Sequence, residues 1–471
     1  MNIFIHRRDL RIIDNTSLYY LYKQTKQPIN SIFIFTPEQI DKDKNPYFSN
    51  NLVYFLCQSL LELKKEYQKN GGDLYFFYGD VIEVLTEINK NYKINNIGFN
   101  LDYSPYAKKR DKTIINWCQK HNINTYCQED MLLVNIIDNK NYPKETPYKV
   151  FTPFMNYQKK NFNINKPVKN KIKYQLFENK DKNNNKNHKD KNIKYLINEK
   201  DLKQFYKINK NLHVKPGRKM AKKTLLNLKN KLDYSDKRNI LSYETSNLSA
   251  YINLGLLSIR EVYDYASIIF GEDNSFINEL YWRDFYYNIL YHYPHVVGDS
   301  FKKEYDNIQW NNNEELFKKW CQGKTGFPIV DACMTQLNKT GYMHNRGRMI
   351  VASFLTKDLF IDWRKGEKYF ATQLVDYNIS ANNGGWQWAS GSGTDAQPYF
   401  RIFNPHTQSE NFDKDCKYIK KWLPQLKTVE NKHIHQWNKY YYLYPNIDYY
   451  KPIIEHKTQY YKTIELYKKY L

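Results

Sequence analysis

Two short runs, Ser31-Ile32-Phe33-Ile34-Phe35 and Leu74-Tyr75-Phe76-Phe77-Tyr78, and the stretch between them from Asn51 to Lys69 decide how the first part of this chain folds. The runs are apolar and β-branched or aromatic, which is the composition of strands. The stretch between has Leu52, Phe55, Leu56, Leu60 and Leu63 on one helical face and stops at Gly71-Gly72. Working outward, Ile3-Phe4-Ile5 and Ile94 to Phe99 read as two more strands. Asp80 stands where it would N-cap a helix carrying Val81, Val84, Leu85 and Ile88. Strands alternating with helices at this spacing predict a parallel sheet with covering helices. No Gly-x-Gly-x-x-Gly follows the first strand, so a dinucleotide fingerprint is absent.

From about residue 211 the strand signals vanish. Pro328 to Leu337 predicts a helix with proline in its first turn and Gly341 beyond its end, and His344 to Asp358 predicts another. Eight of the nine tryptophans lie in the last 190 residues. The expected architecture is an α/β parallel-sheet domain over 1–135, a basic interdomain linker over 136–210 and an all-α domain over 211–471.

The formal charge of +23 is unevenly spread. Residues 1–150 carry a net +3 and residues 241–471 a net +2, so +18 lies in residues 151–240. The centre of that stretch, Asn179 to Lys186, is low-complexity and reads as a solvated spacer, or as an electrostatic tether that raises the on-rate for DNA. No run approaches the ~20 apolar residues of a membrane span. The opening residues are too short an apolar run for a signal peptide. The six cysteines (57, 118, 127, 321, 333 and 416) have neither Cys-x-x-Cys nor metal-ligand spacing. A disulfide scaffold, a zinc site and a membrane protein are excluded as leading readings. A reduced, soluble, intracellular protein with no metal is expected.

Three segments carry chemistry. In Asn278 to Tyr286, Glu279, Trp282 and Arg283 share a helical face, although alone this is an ordinary half-buried surface. His344-Asn345-Arg346-Gly347-Arg348-Met349 offers an amide, two guanidiniums and a thioether to a planar anionic ligand. The strongest signal is Asp376 to Trp388, where Asn382-Asn383-Gly384-Gly385-Trp386-Gln387-Trp388 packs two amides, two glycines and two tryptophans into seven residues. Such glycines are expected to let the backbone approach a ligand.

Together with Gly323 to Ala332, Pro398 to Pro405, the opening Arg7-Arg8-Asp9-Leu10-Arg11 with Asp14-Asn15, and the junction Tyr148 to Phe154, these motifs resemble the photolyase/cryptochrome family. The resemblance covers nearly all of the chain except about 160–210 and is closest to the class I cyclobutane pyrimidine dimer photolyases. It implies an antenna domain followed by a helical domain holding a U-shaped FAD, reduced in its active form. Tyr234, Thr245, Ser246, Asn247, Leu248, Ser249 and Phe276 would hold the FAD phosphates, ribityl chain and rings. Arg348 and Asp376 would flank the isoalloxazine, Tyr377 and Asn378 would also bind the cofactor, and Asn382 would face the flavin N5. Trp386, Trp363 and Trp310 match the family's photoreducing chain. Glu279, Trp282, Asn345, Arg346, Met349 and Trp388 match the damaged-base pocket; Arg238, Arg401 and Gln408 match DNA contacts, and Arg283 is counted among the DNA-binding residues.

The implied reaction is light-driven electron transfer from reduced FAD to a flipped-out pyrimidine dimer, whose ring splits before the electron returns. The alternatives are a DASH-type enzyme, a (6-4) photolyase and a blue-light sensor. Met349 stands where the (6-4) branch has a histidine, and Trp388, often lost in DASH and sensor proteins, is present. The chain departs from the pattern at Asn378, where an acid is usual, at Asn247, where a basic residue is usual, and at Phe276, where related bacterial enzymes have tryptophan. Leu101 to Ala107 lacks the Asn-Glu pair that some members use for methenyltetrahydrofolate, so a deazaflavin, a second flavin or an empty antenna cleft is also open. The resemblance favours a monomer acting on damaged DNA.

Overall fold

The computed structural model describes residues 1–137, 142–143, 147–169, 171–177 and 193–470. Six strands, β1 (Asn2–His6), β2 (Ile29–Phe35), β3 (Leu74–Tyr78), β4 (Asn96–Asn100), β5 (Asn124–Gln128) and β6 (Leu196–Ile197), form one sheet in the order β5-β4-β1-β2-β3-β6. The first five are parallel, with Ile5 opposite Ile32 and Phe33 opposite Phe76; β6 closes the edge antiparallel to β3. Alternation along the strands feeds two cores. Phe4, Phe33, Phe35 and Phe76 face helix α1 (Asn50–Lys69) through Phe55, Leu60 and Leu63. Ile3, Ile5, Ile32, Ile34 and Phe77 face the other way, onto Val84, Leu85, Ile88 and Ile114. Burial on both faces is why these strands read as unbroken apolar runs. Asp80 caps its helix as expected, accepting from the N–H groups of Ile82 and Glu83.

The interval expected as a linker is built into the fold where it is described. Phe151–Asn161 is a helix, α2, whose Phe151 and Phe154 are buried. Ile29 bridges Tyr174, and Leu196–Ile197 supplies the sixth strand. These segments hold apolar side chains among lysines: Phe151 and Phe154 pack on Trp282 and Phe285, and only Leu196–Ile197 docks on the open sheet edge. The low-complexity centre from Asn179 to Lys186 lies outside the described residues.

The helical part includes α3 (Ile259–Phe270), α4 (Ser275–His292), α5 (Pro328–Thr340), α6 (Asn345–Ser353), α7 (Trp363–Gln373), α8 (Ile379–Ser390) and α9 (His456–Tyr470). Gly341 ends α5 in the left-handed conformation at φ 65°, as its place beyond the helix predicts. The α6 helix continues into a π-helical turn over Phe354–Asp358. Trp320, Trp363, Phe370 and Trp386 pack into one core with Val330, Met334 and Leu355. No described helix is long and apolar enough to cross a membrane.

The opening motif ties the two parts together. Leu10 N–H donates to the Leu254 carbonyl at 3.0 Å. Arg260, from α3, reaches Asp14 at 3.0 Å and Asp130 at 2.8 Å, and Asp130 also binds Arg11. Burial pushes the Asp130 carboxyl up, but the Arg11 and Arg260 guanidiniums outweigh it and hold it below its ordinary value.

Candidate active site

A cavity of about 550 Å³ opens between α4, α6, α7 and α8, with the segment from Tyr234 to Ser249 along one side. Its walls bring together most of the residues singled out above, from four separate stretches of sequence. Glu279, Trp282 and Arg283 come from α4; Asn345, Arg346, Arg348 and Met349 from α6; and Asn382, Trp386 and Trp388 from α8. Tyr234, Arg238, Thr245, Ser249, Asp376 and Asn378 complete it.

The α6 residues face the cavity because His344 sits at the N-cap, its Nδ1 accepting from Arg346 N–H at 3.1 Å. Gly347 lets the helix lie against Cys333, 2.8 Å from where a Cβ would stand. Arg348 donates from one nitrogen to both Asp376 oxygens, at 2.8 and 3.0 Å, and Ser249 Oγ donates to the same carboxylate at 2.7 Å. Asn378 N-caps α8, accepting from Ala381 N–H at 3.1 Å.

Asn382 and Asn383, adjacent in sequence, do different things. Asn382 lines the cavity, and its Nδ2 donates to Glu367 at 2.9 Å; burial pushes that carboxyl up to about 7. Asn383 is buried and holds the Val296 carbonyl at 2.8 Å. The glycines divide likewise. A Cβ on Gly384 would stand 2.1 Å from the Tyr286 ring, so this glycine serves the contact between α8 and α4 rather than a ligand. Gly385 lines the cavity with nothing within 4 Å of its Cβ position.

The other singled-out residues take varied places. Glu279 pairs with Arg238 across the cavity rather than with Arg283 one turn along α4. Burial raises the Glu279 carboxyl, and Arg238 offsets this only in part. Arg283 spends its guanidinium on the Met131 carbonyl at 2.6 Å and on Asp284 at 3.1 Å, although it still lines the cavity. Phe276 is buried edge-on against Tyr234, outside the lining. Leu248 is core, and Ser246 and Asn247 line a neighbouring groove instead. The Tyr377 ring lies parallel to Tyr47 and outside the lining. Arg401 is exposed and Gln408 half-buried, both away from the cavity lining.

Of the three chain tryptophans, only Trp386 reaches the cavity. Trp363 is buried, and Trp310 packs edge-on against Tyr467 of α9. Trp386 is seated tightly, since a Cβ on Gly366 would stand 2.2 Å from its ring. Its ring neighbours are Phe370 at 5.0 Å and Trp320 at 6.0 Å. Trp282 stacks on Phe151 at 3.7 Å with an 8° interplanar angle. Sequence reasoning missed Glu367, Tyr286, Tyr342 and Trp320. Tyr286 ends a segment singled out for its charged residues, whereas Glu367, Tyr342 and Trp320 lie outside the three segments and come to the site by tertiary packing.

The donor set fits a flavin dinucleotide. The Arg348–Asp376 pair and the Asn382 amide would offer a planar heterocycle both donors and acceptors, and the hydroxyls of Thr245 and Ser249 would serve its polar chain. Among the described residues no cluster of metal-ligating side chains accompanies them.

Comparison with known proteins agrees. Residues 2–172 match the DNA photolyase family model, and residues 276–469 match that of the FAD binding domain of DNA photolyase, which bears out the expected cofactor. A deoxyribodipyrimidine photo-lyase of Buchnera aphidicola subsp. Baizongia pistaciae is 34% identical over 99% of this chain and 98% of its own length. One from Synechococcus is 35% identical over 91% of this chain and 89% of its own. The archaeal photolyase from Sulfolobus tokodaii, solved with two FAD molecules, superposes with a TM-score of 0.86 at 36% identity over 100% of both chains. The chain belongs to the DNA photolyase family.

Proposed function

We propose that this protein is a deoxyribodipyrimidine photo-lyase that repairs cyclobutane pyrimidine dimers in DNA under light. The observation that carries the reading is one cavity lined by aromatic faces, Trp282 and Trp388, as well as by Asn382 and the Arg348–Asp376 pair. Reduced FAD, when bound, supplies the photoexcited electron that opens the dimer. Everything else falls to the protein's own side chains.

Arg348, Asp376, Ser249 and Asn382 hold and orient the flavin. Trp282 and Trp388 offer flat apolar surfaces to a flipped-out pair of adjacent, cross-linked pyrimidines, and Met349 adds a soft thioether to the same lining. The carboxyl of Glu279, raised by burial, is suited to hydrogen-bond a pyrimidine edge, and Arg238 keeps it in place. Arg346 carries a charge whose only described hydrogen-bond partner is neutral, Asn239 at 2.8 Å, and so suits a backbone phosphate. The relative with two FAD molecules is described with a light-harvesting cofactor, which supports an antenna chromophore in the α/β part here.

Met349 favours dimer repair over (6-4) repair, because it gives that wall no proton donor. Binding of duplex DNA carrying a thymine dimer, a (6-4) product or no lesion tests this. The dimer is expected to bind at least a hundred-fold tighter than undamaged duplex. Equal affinity for all three, or preference for the (6-4) product, would contradict the reading.

A further inference from the structure

We propose that Lys215, Lys223 and Lys229 form a counter-charge wall for the diphosphate of the flavin dinucleotide, in a groove behind the loop Thr245–Ser249. The inference rests on the flavin reading above and names residues outside the main cavity. The groove holds about 480 Å³, with Thr245, Ser246 and Asn247 along one side and the three lysines among the residues lining the rest. Thr245 lines both spaces, so groove and cavity adjoin at this loop.

Charge is the first argument. Three of the cavity's arginines are already matched by carboxylates: Arg348 by Asp376, Arg238 by Glu279, and Arg283 by Asp284. Lys215, Lys223 and Lys229 are exposed and make no ion pair among the described residues. The groove's one carboxylate is Glu244, and its Oε1 accepts from Asn247 at 2.7 Å. The groove therefore keeps a surplus of positive charge beside a loop of hydroxyl residues.

The backbone is the second argument. None of the N–H groups of Thr245 to Ser249 donates to a protein acceptor among the described residues. Asn247 is left-handed at φ 55°, and Leu248 follows in the right-handed region at φ −90°, ψ −14°. Successive residues of opposite hand turn their N–H groups toward one concave side, a geometry that receives anions.

The loop also has no cation of its own. The Asn247 amide is consumed locally, its oxygen 2.9 Å from His213 Nε2. His213 in turn stacks flat on the cavity residue Tyr342, with centroids 4.1 Å apart at 4°. Asn247 thus fixes the loop without neutralising anything on it. The balancing charge must come from the opposite wall, where lysine is a mobile point charge on a long stem.

The test uses the purified full-length holoprotein and follows FAD release on dilution by recovery of flavin fluorescence, at rising NaCl. The triple variant Lys215→Gln, Lys223→Gln, Lys229→Gln should lose at least ten-fold in FAD affinity and show a flatter salt dependence. The corresponding triple arginine variant should retain both. Lys219→Gln with Lys222→Gln, on the helix Arg218–Leu226 that carries Lys223 but outside the groove lining, should behave as wild type. Unchanged FAD retention in the triple glutamine variant, or an equal loss in the Lys219/Lys222 control, overturns the proposal. A wild-type protein that carries no FAD would instead strike the flavin reading itself.

Discussion

Arg8 and Asn378 meet at the same two oxygens. Arg8 donates to Asn253 Oδ1 and, at 2.8 Å, to Tyr287 Oη; Asn378 Nδ2 donates to these atoms at 3.0 and 2.6 Å. The opening motif of the sheet domain is thereby joined to the loop that shapes the cavity. Asn378, which replaces a usual acid, uses its oxygen to cap α8 and its nitrogen for this junction. Asn378→Ala loses the cap and both donations, and unfolding in denaturant should show a cost of about 2 kcal/mol. Asn378→Asp keeps the cap but sets a carboxylate oxygen against Asn253 Oδ1, leaving only Tyr287 Oη able to turn its proton to it, so its cost should fall between wild type and Asn378→Ala.

The ion network between the domains is buried, and removing one member leaves charge uncompensated. Asp130→Ala should destabilise by about 3–5 kcal/mol, because Arg11 and Arg260 then lack their shared partner. A carboxyl held below its ordinary value stabilises above its unfolded pKa of ~4, and that contribution is lost as pH falls through the folded value. Wild-type stability should therefore drop below about pH 4, and the Asp130→Ala variant should show a shallower drop.

Glu367 behaves in the opposite sense. Burial raises it from 4.5 to about 7, so the folded state holds its proton more tightly than the unfolded chain. Its contribution is full below about 4.5 and is lost as pH rises to about 7. Glu367→Gln should remove roughly one proton's worth of slope from stability between pH 5 and 7, about 1.4 kcal/mol per unit at most. Unfolding curves at pH 5, 6 and 7 measure it.

Gly384 and Gly385 are neighbours with opposite expectations. Gly384→Ala drives a methyl into the Tyr286 ring and should cost about 1–3 kcal/mol. Gly385→Ala meets nothing within 4 Å, so it should leave folding intact and act on ligand binding alone. Parallel denaturation and FAD-retention measurements separate the two.

Much of this was legible in sequence because the signals were local. Strands buried on both faces show as apolar runs, and Asp80, Pro328 and Gly341 mark helix ends by backbone chemistry alone. β5 was not legible: Asn124-Thr125-Tyr126-Cys127-Gln128 is a polar edge strand without alternation. β6 is a two-residue pairing that only the open edge of β3 selects. Motifs located the cavity residues but not their partners. Spacing sets Glu279 and Arg283 on one face of α4, but the ion pair that Glu279 makes is with Arg238, from another segment. Glycines in a motif do not declare whether a ligand or a tyrosine fills their space, and here the answer differs between adjacent residues.

The central claim is tested most directly by incubating the purified, reduced protein with duplex DNA containing a defined thymine dimer, under blue light and in darkness. Loss of the dimer only in the light is the predicted result, with Trp388→Ala weakening damaged-DNA binding by about 1–3 kcal/mol. Persistence of the dimer in the light, with FAD bound and reduced, would contradict the account.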